Sequence, residues 1–287
     1  MGSGKHTEHW DVVIAPTGTW WKLGIREIWN YRDLLMLLVR RDLTATYKQT
    51  LLGPLWQVLQ PLLTALMFAA IFGMMARMAP AGIPPLLFYL SGVVPWTFFA
   101  NVINRTSTTL TGNAALTTKV YFPRLIPPMA TTLSTGVSFL IQLGAFFVIA
   151  IGYKVSGNYA WNPGLALLLL PVLLLIMVML AFGTGLLVAS LTTKYRDLGF
   201  LIGFAVQLLM FMSAVIFPLS GVSQDSPIRP FIMANPMVPL IEAFRTALLN
   251  TPSDLGALWY PAVIGMVMLM VGVASYQRME RSFADVV

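Results

Sequence analysis

Residues 165–191 read LALLLLPVLLLIMVMLAFGTGLLVASL and contain no Asp, Glu, Lys, Arg or His. As an α-helix this stretch extends about 40 Å at 1.5 Å per residue, more than the roughly 30 Å hydrocarbon core of a bilayer. The charge-free interval around it runs from Lys154 to Lys194. Five more such intervals follow the same rule: Lys48–Arg77, Arg77–Arg105, Arg124–Lys154, Asp197–Asp225 and Asp254–Arg278. Each holds the roughly 20 apolar residues that a membrane-crossing helix needs. Hydrophobic residues make up 57% of the 287-residue chain and charged residues only 10%. The mean hydropathy is +0.76. These values describe an all-α integral membrane protein with six transmembrane helices, expected near residues 57–75, 86–109, 128–152, 165–191, 198–217 and 258–276.

The rest of the chain divides around these spans. Residues 1–56 are expected to form a cytoplasmic arm and an amphipathic interfacial helix, and residues 57–287 a single six-span transmembrane domain. The helix is expected from Gly24 to about Thr46. Ile25, Ile28, Trp29, Leu35, Val39 and Leu43 lie near one face, and Arg26, Asp33, Arg40 and Asp42 largely elsewhere. Its apolar run is too short to span, so it suits the headgroup layer. A helix packed on the cytoplasmic side would carry the same pattern. Residues 218–257 are rich in proline yet apolar, with Met237, Val238, Leu240, Ile241, Phe244, Ala247 and Leu248 close together. A re-entrant helical segment before the last span accounts for this, because irregular backbone at depth is tolerated where protein or a hydrated cavity surrounds it. An amphipathic surface helix is the alternative. Glu242 and Arg245 are three apart and can pair on one helix face.

The net charge of +7 is distributed by side. With six spans and a cytoplasmic N-terminus, only Arg77, Lys154, Arg229 and Arg245 of the eighteen basic residues fall outside. The positive-inside rule therefore places both termini in the cytoplasm. The basic charge needs no nucleic acid partner, and membrane lipid headgroups are a sufficient counterpart.

Several kinds of chemistry are excluded. The chain lacks cysteine, so disulfides and thiolate metal sites are ruled out. No G-x-x-x-x-G-K-[ST] phosphate loop and no H-E-x-x-H helix occurs. Both histidines, His6 and His9, lie in the N-terminal tail, so no Ser/His/Asp set can form in the membrane. No catalytic residue and no metal site is expected. The six charge-free intervals carry no Asp, Glu, Lys, Arg or His of the kind that proton-coupled carriers keep at depth. Uphill transport by this chain would draw its energy from a partner.

Three blocks of sequence carry a family resemblance. The first runs from Leu38-Val39-Arg40-Arg41-Asp42-Leu43 through Tyr47-Lys48-Gln49-Thr50-Leu51-Leu52-Gly53-Pro54-Leu55-Trp56 to Gln60-Pro61. The second is Gly92-Val93-Val94-Pro95-Trp96-Thr97-Phe98-Phe99, followed by Gly112-Asn113 and Lys119-Val120-Tyr121-Phe122-Pro123-Arg124. The third comprises Tyr195-Arg196-Asp197-Leu198, Val215-Ile216-Phe217-Pro218, Asn235-Pro236-Met237 and Phe244-Arg245. In this order the blocks resemble the ABC-2 type permeases of the polysaccharide-exporting branch, which moves lipid-linked O-antigen or teichoic acid. The resemblance implies a homodimer in the bacterial inner membrane, joined by two copies of a separate ATPase subunit. That subunit, and not this chain, would bind ATP and Mg.

The resemblance also assigns roles to particular residues. Contact with the ATPase is expected at Gly112, Asn113, Lys119, Tyr121 and Arg124, and at Tyr195, Arg196 and Asp197. A topogenic loop and a capped turn are the plainer accounts of these two segments. A pyrophosphate headgroup would meet Arg40, Arg41 and Lys48, because the arginine fork binds phosphate through paired hydrogen bonds; topogenic charge is the plainer account. The conduit candidates are Tyr89, Trp96, Phe98 and Phe99, whose rings suit sugar faces, with Asn101, Asn104, Thr132, Ser138 and Gln142 as polar lining. The alternatives for these are lipid-facing or helix-facing packing and helix-to-helix hydrogen bonds. Phe217, Pro218, Asn235, Pro236, Glu242 and Arg245 are expected to form an outer gate.

Overall fold

Span-length apolar helices dominate the computed structural model, which describes residues 25–48, 52–76, 78–112, 122–195, 197–223 and 225–284. Among the described residues, five helical stretches are long and apolar enough to cross a membrane: Leu55–Met75, Pro85–Ser107, Ile126–Val155, Gly164–Thr192 and Leu255–Met279. The expected fifth of six spans differs. It is a 14-residue helix, Leu198–Phe211, about 21 Å long and so short of the hydrocarbon core. The chain then turns through residues 212–217, with Ala214 in the left-handed region at φ 55°. Pro218 disfavours helix at the residue before it. The earlier break at Met212 has a tertiary cause, set out below.

In chain order the helices are α1 Ile25–Asn30, α2 Arg32–Tyr47, α3 Leu55–Phe68, α4 Pro85–Ser107, α5 Thr109–Gly112 and α6 Ile126–Val155, followed by α7 Leu170–Lys194, α8 Leu198–Phe211, α9 Arg229–Met233, α10 Met237–Leu249 and α11 Trp259–Ala284. A π-helical segment, Ala69–Met75, extends α3. The single helix expected over residues 24–46 is divided at Tyr31 into α1 and α2. Leu38 and Val39 of α2 pack on Phe122, Ile126 and Ala130 at the start of α6. Trp29, Met36 and Leu37 stay exposed. The helix thus seats one apolar side on the bundle and leaves apolar residues free, as suits a position in the interface layer.

α4 is the hub. Within its most apolar stretch 78% of residues are buried, against 22–39% in the other four long stretches. It packs on α3, α6, α7 and α10. The greasy α7 stretch is only 28% buried.

α7 and α11 form the closest pair. A Cβ on Gly272 would lie 2.2 Å from the Gly183 carbonyl oxygen, and one on Gly183 would lie 2.4 Å from the Leu269 amide nitrogen. Only glycine permits this backbone approach, the usual route to tight association in lipid, where no hydrophobic force drives helices together.

Candidate functional site

α10 is a 13-residue helix whose side chains are almost all buried. Asn235 Oδ1 accepts from the Met237 amide (3.0 Å) and caps its start, and Asn250 closes its end in the left-handed conformation. On this helix Arg245 is only 1% exposed. Its Nη1 donates to Glu242 Oε1 at 3.0 Å, and its Nη2 to the Val215 carbonyl at 2.8 Å. Nη1 also lies 3.5 Å from the Phe217 carbonyl. The guanidinium sits 4.0 Å above the centre of the Phe88 ring, a favourable cation–π position.

Glu242 and Asn235 complete the arrangement. Glu242 Oε1 accepts from the Leu219 amide at 3.0 Å. Asn235 Nδ2 donates to the Met212 carbonyl (3.2 Å) and to Ser213 Oγ (2.8 Å). The polar backbone of residues 212–219, which leaves the helix within an apolar bundle, thus finds its partners on Arg245, Glu242 and Asn235. That supply is the tertiary cause of the early end of α8: the Met212, Val215 and Phe217 carbonyls beyond it are met from Asn235 and Arg245 and not by further helical turns. Pro236 lies between Asn235 and the first residue of α10, and Pro218 opens the one-turn 3₁₀ helix Leu219–Gly221. All six expected gate residues therefore belong to one assembly.

Sequence reasoning missed three members: Phe88, Ser213 and Gly92. A Cβ on Gly92 would sit 3.1 Å from Arg245 Nη2 and 3.3 Å from the Val215 carbonyl. The signal for Gly92 was its place in the Gly92–Phe99 block. Nothing in the chain order foretold that it would face Arg245.

The expected conduit residues are packed within the chain. Tyr89, Trp96, Phe98 and Phe99 are buried in the main core of the chain. Phe98 pairs with Phe139 at 5.3 Å, and Tyr89 with Phe88 at 5.1 Å. α4 is central, so its aromatic rings fill the bundle and do not border an open path within this chain. Asn101 and Asn104 are half-buried. Thr132 and Ser138 are buried and bond to their own helix, Thr132 to the Pro128 carbonyl (2.9 Å) and Ser138 to that of Ser134 (3.4 Å). Thr131 and Thr135 do the same. A hydroxyl one turn above a carbonyl reaches it without help. Among the exposed aromatics, Phe200 (88% exposed), Phe204 and Phe211 form a stripe with Leu208 on α8.

Gln142 has a structural task. Pro61 lies within α3 and has no N–H to give the Gln57 carbonyl. Gln142 Nε2, from α6, donates to that carbonyl at 3.1 Å. Gln142→Leu is expected to lower stability by about 1–3 kcal/mol by leaving this acceptor buried and unpaired. The loss should shrink in a Pro61→Ala background, where the helix supplies its own donor. Thermal unfolding of the four variants in detergent measures this, and equal losses in both backgrounds would refute the pairing.

At the other end of the bundle, Arg40, Arg41 and Lys48 are exposed. Arg41 Nη2 lies 3.0 Å from Asp42 Oδ1. Arg105 Nη2 approaches Asp42 Oδ2 at 3.9 Å, and its Nη1 donates to Thr135 Oγ1 at 3.3 Å. Arg105, absent from the expected set, thus links α2 to α4 and α6. Asp197 caps α8 by accepting from the Leu198 amide at 3.1 Å. Tyr195 and Gly112 are exposed and Arg124 is half-buried. Asn113, Lys119, Tyr121 and Arg196 lie outside the described residues.

Comparison with known proteins yields one consistent picture. The ABC-2 type transporter family profile matches residues 33–249. The chain is 26% identical over 262 residues to the O-antigen export system permease protein RfbA of Myxococcus xanthus, covering 91% of this chain and 98% of that one. It is 24% identical over 254 residues to a Klebsiella pneumoniae protein of the same name, covering 88% and 95%. It is also 24% identical over 247 residues to the polysialic acid transport protein KpsM of Escherichia coli, covering 85% and 93%.

Proposed function

The chain belongs to the ABC-2 type transporter family, and on that premise we propose that it is the membrane-spanning permease of an ATP-driven exporter of lipid-linked polysaccharide. The observation that carries this reading is the end-to-end similarity to permeases named for O-antigen export. The substrate is an O-antigen-like glycan on a lipid carrier, moved from the cytoplasm across the bacterial inner membrane. The relative named for polysialic acid transport favours a capsular glycan as the second reading.

The chain works as a homodimer with two copies of a separate ATPase subunit, which binds ATP and Mg on the cytoplasmic side where both termini lie. Docking involves the segment from Gly112 to Arg124, including Asn113, Lys119 and Tyr121, with Tyr195, Arg196 and Asp197 beside it. Arg40, Arg41 and Lys48 meet the headgroup phosphates. The aromatic rings of α4 are packed within the chain, so the glycan path runs between two copies. The Arg245–Glu242–Asn235 assembly holds the irregular 212–219 backbone in place and serves as the outer gate.

Two measurements test this. Deleting the protein should abolish surface glycan and enlarge the intracellular pool; normal surface glycan with an unchanged pool sinks the substrate assignment. The purified chain should carry an ATPase subunit with it. Changing Lys119 and Tyr121 together to Ala should remove most of that subunit, and undiminished recovery would refute the docking assignment.

A further inference from the structure

Toward each of its ends α11 offers a tyrosine hydroxyl that reaches a carbonyl beside the start of another helix. Toward one end, Tyr276 Oη donates to the Arg124 carbonyl at 3.1 Å. That carbonyl lies four residues before Pro128, which has no N–H to offer it. Toward the other end, sixteen residues earlier and about 24 Å along the helix, Tyr260 Oη donates to the Ala234 carbonyl. Ala234 directly precedes Asn235, the residue that caps α10 and holds Met212 and Ser213.

Packing supports both ends. Leu125 lies in one cluster with Leu186 and Ala189 of α7 and with Val273 and Tyr276 of α11. Phe122 is buried against Leu38 and Val39 of α2. The backbone contact of Gly183 with Gly272 keeps α7 and α11 from sliding past each other without separating. A displacement of residues 122–126 along the bundle therefore meets a stiff pair of helices.

We propose that α11 is a strut, with Tyr276 and Tyr260 as positioning residues that transmit movement of the segment preceding α6 to the Asn235–Arg245 assembly at the opposite end. The proposal rests on the reading above, in which the segment ending at Arg124 meets the ATPase subunit. Binding of nucleotide there would pull the Arg124 carbonyl, and the strut would carry the pull to the turn at 212–219.

The test uses the assembled transporter from its host membrane with Tyr276→Phe, Tyr260→Phe and both together. Phenylalanine keeps the ring and removes only the hydroxyl. The expected result is unchanged recovery of the ATPase subunit, ATP hydrolysis within about twofold of the parent, and about fivefold less glycan exported per ATP, as loss of one neutral hydrogen bond implies. The double variant should be no worse than either single one, because both lie on one path. Pro128→Ala gives the Arg124 carbonyl a donor from its own helix, so it should restore the thermal stability of Tyr276→Phe and leave export per ATP low. Unchanged export per ATP in the single variants overturns the proposal, as does a double variant in which the two losses multiply. Recovery of export in Pro128→Ala/Tyr276→Phe overturns it as well, because Tyr276 would then be structural only. Failure of the parent chain to bring down any ATPase subunit is a separate result that overturns the docking reading and the strut with it.

Discussion

Arg245→Met is expected to destabilise the protein by about 3–5 kcal/mol, the usual cost of removing one partner from a buried ion pair. The substitution keeps a long side chain and strips three contacts at once. Glu242 loses its counterion at 3.0 Å, the Val215 carbonyl loses its donor at 2.8 Å, and the Phe88 ring loses its cation. Against a total stability of about 5–15 kcal/mol this is a large fraction, and folded yield in detergent should drop sharply. Adding Glu242→Gln should recover part of the loss, since the amide keeps an acceptor for the Leu219 amide and carries no charge to bury. Arg245→Lys should fall between, because one ammonium cannot copy a planar fork that serves two carbonyls and a carboxylate. Thermal unfolding of the three variants decides the matter. A single Arg245→Met variant as stable as the double one would refute the account.

Gly272→Leu should be as damaging by a different route. The position of its Cβ is 2.2 Å from the Gly183 carbonyl oxygen and 3.0 Å from the Gly183 carbonyl carbon. These are backbone atoms, so no rotamer change relieves the clash, and α7 and α11 must move apart. The loss should exceed the roughly 1–3 kcal/mol typical of overpacking against side chains. Gly199 and Gly203 on α8 are different, because a Cβ at either would have no neighbour within 4 Å. Ala at those positions should be neutral or stabilising by up to about 1 kcal/mol through helix propensity. Monodisperse, folded Gly272→Leu protein at parental yield would contradict the close-packed pair.

Residence in the membrane and the helical class were legible from the charge-free intervals, because transfer free energy accumulates locally along the chain. The pairing of Glu242 with Arg245 was legible from their spacing, since residues three apart share a helix face. The six residues expected at an outer gate lie in one hydrogen-bonded assembly around residues 212–219. The setting of the expected conduit residues was not legible, for a physical reason. An aromatic or hydroxyl residue on an apolar helix looks the same in sequence whether it faces a path, lipid or the bundle core. Thr132 and Ser138 are buried and bond to their own helix, and Phe98 of the central α4 packs on Phe139 of α6.

The fifth apolar interval marks the boundary between the two kinds of information. Hydropathy predicted a full span over residues 198–217, yet the helix stops at Phe211. The partners that permit the stop, Arg245 and Asn235, are more than twenty residues away in the chain. Pro61 and Pro128 behave alike: the sequence marks the missing N–H, and the fold alone supplies Gln142 and Tyr276 to the Gln57 and Arg124 carbonyls. Apolar length, charge placement and family were thus determined by the sequence itself, because each is a property of neighbouring residues or of their order. The tertiary structure decided which polar backbone groups leave the helix ladder, because in an apolar bundle that requires a donor or acceptor delivered from another helix.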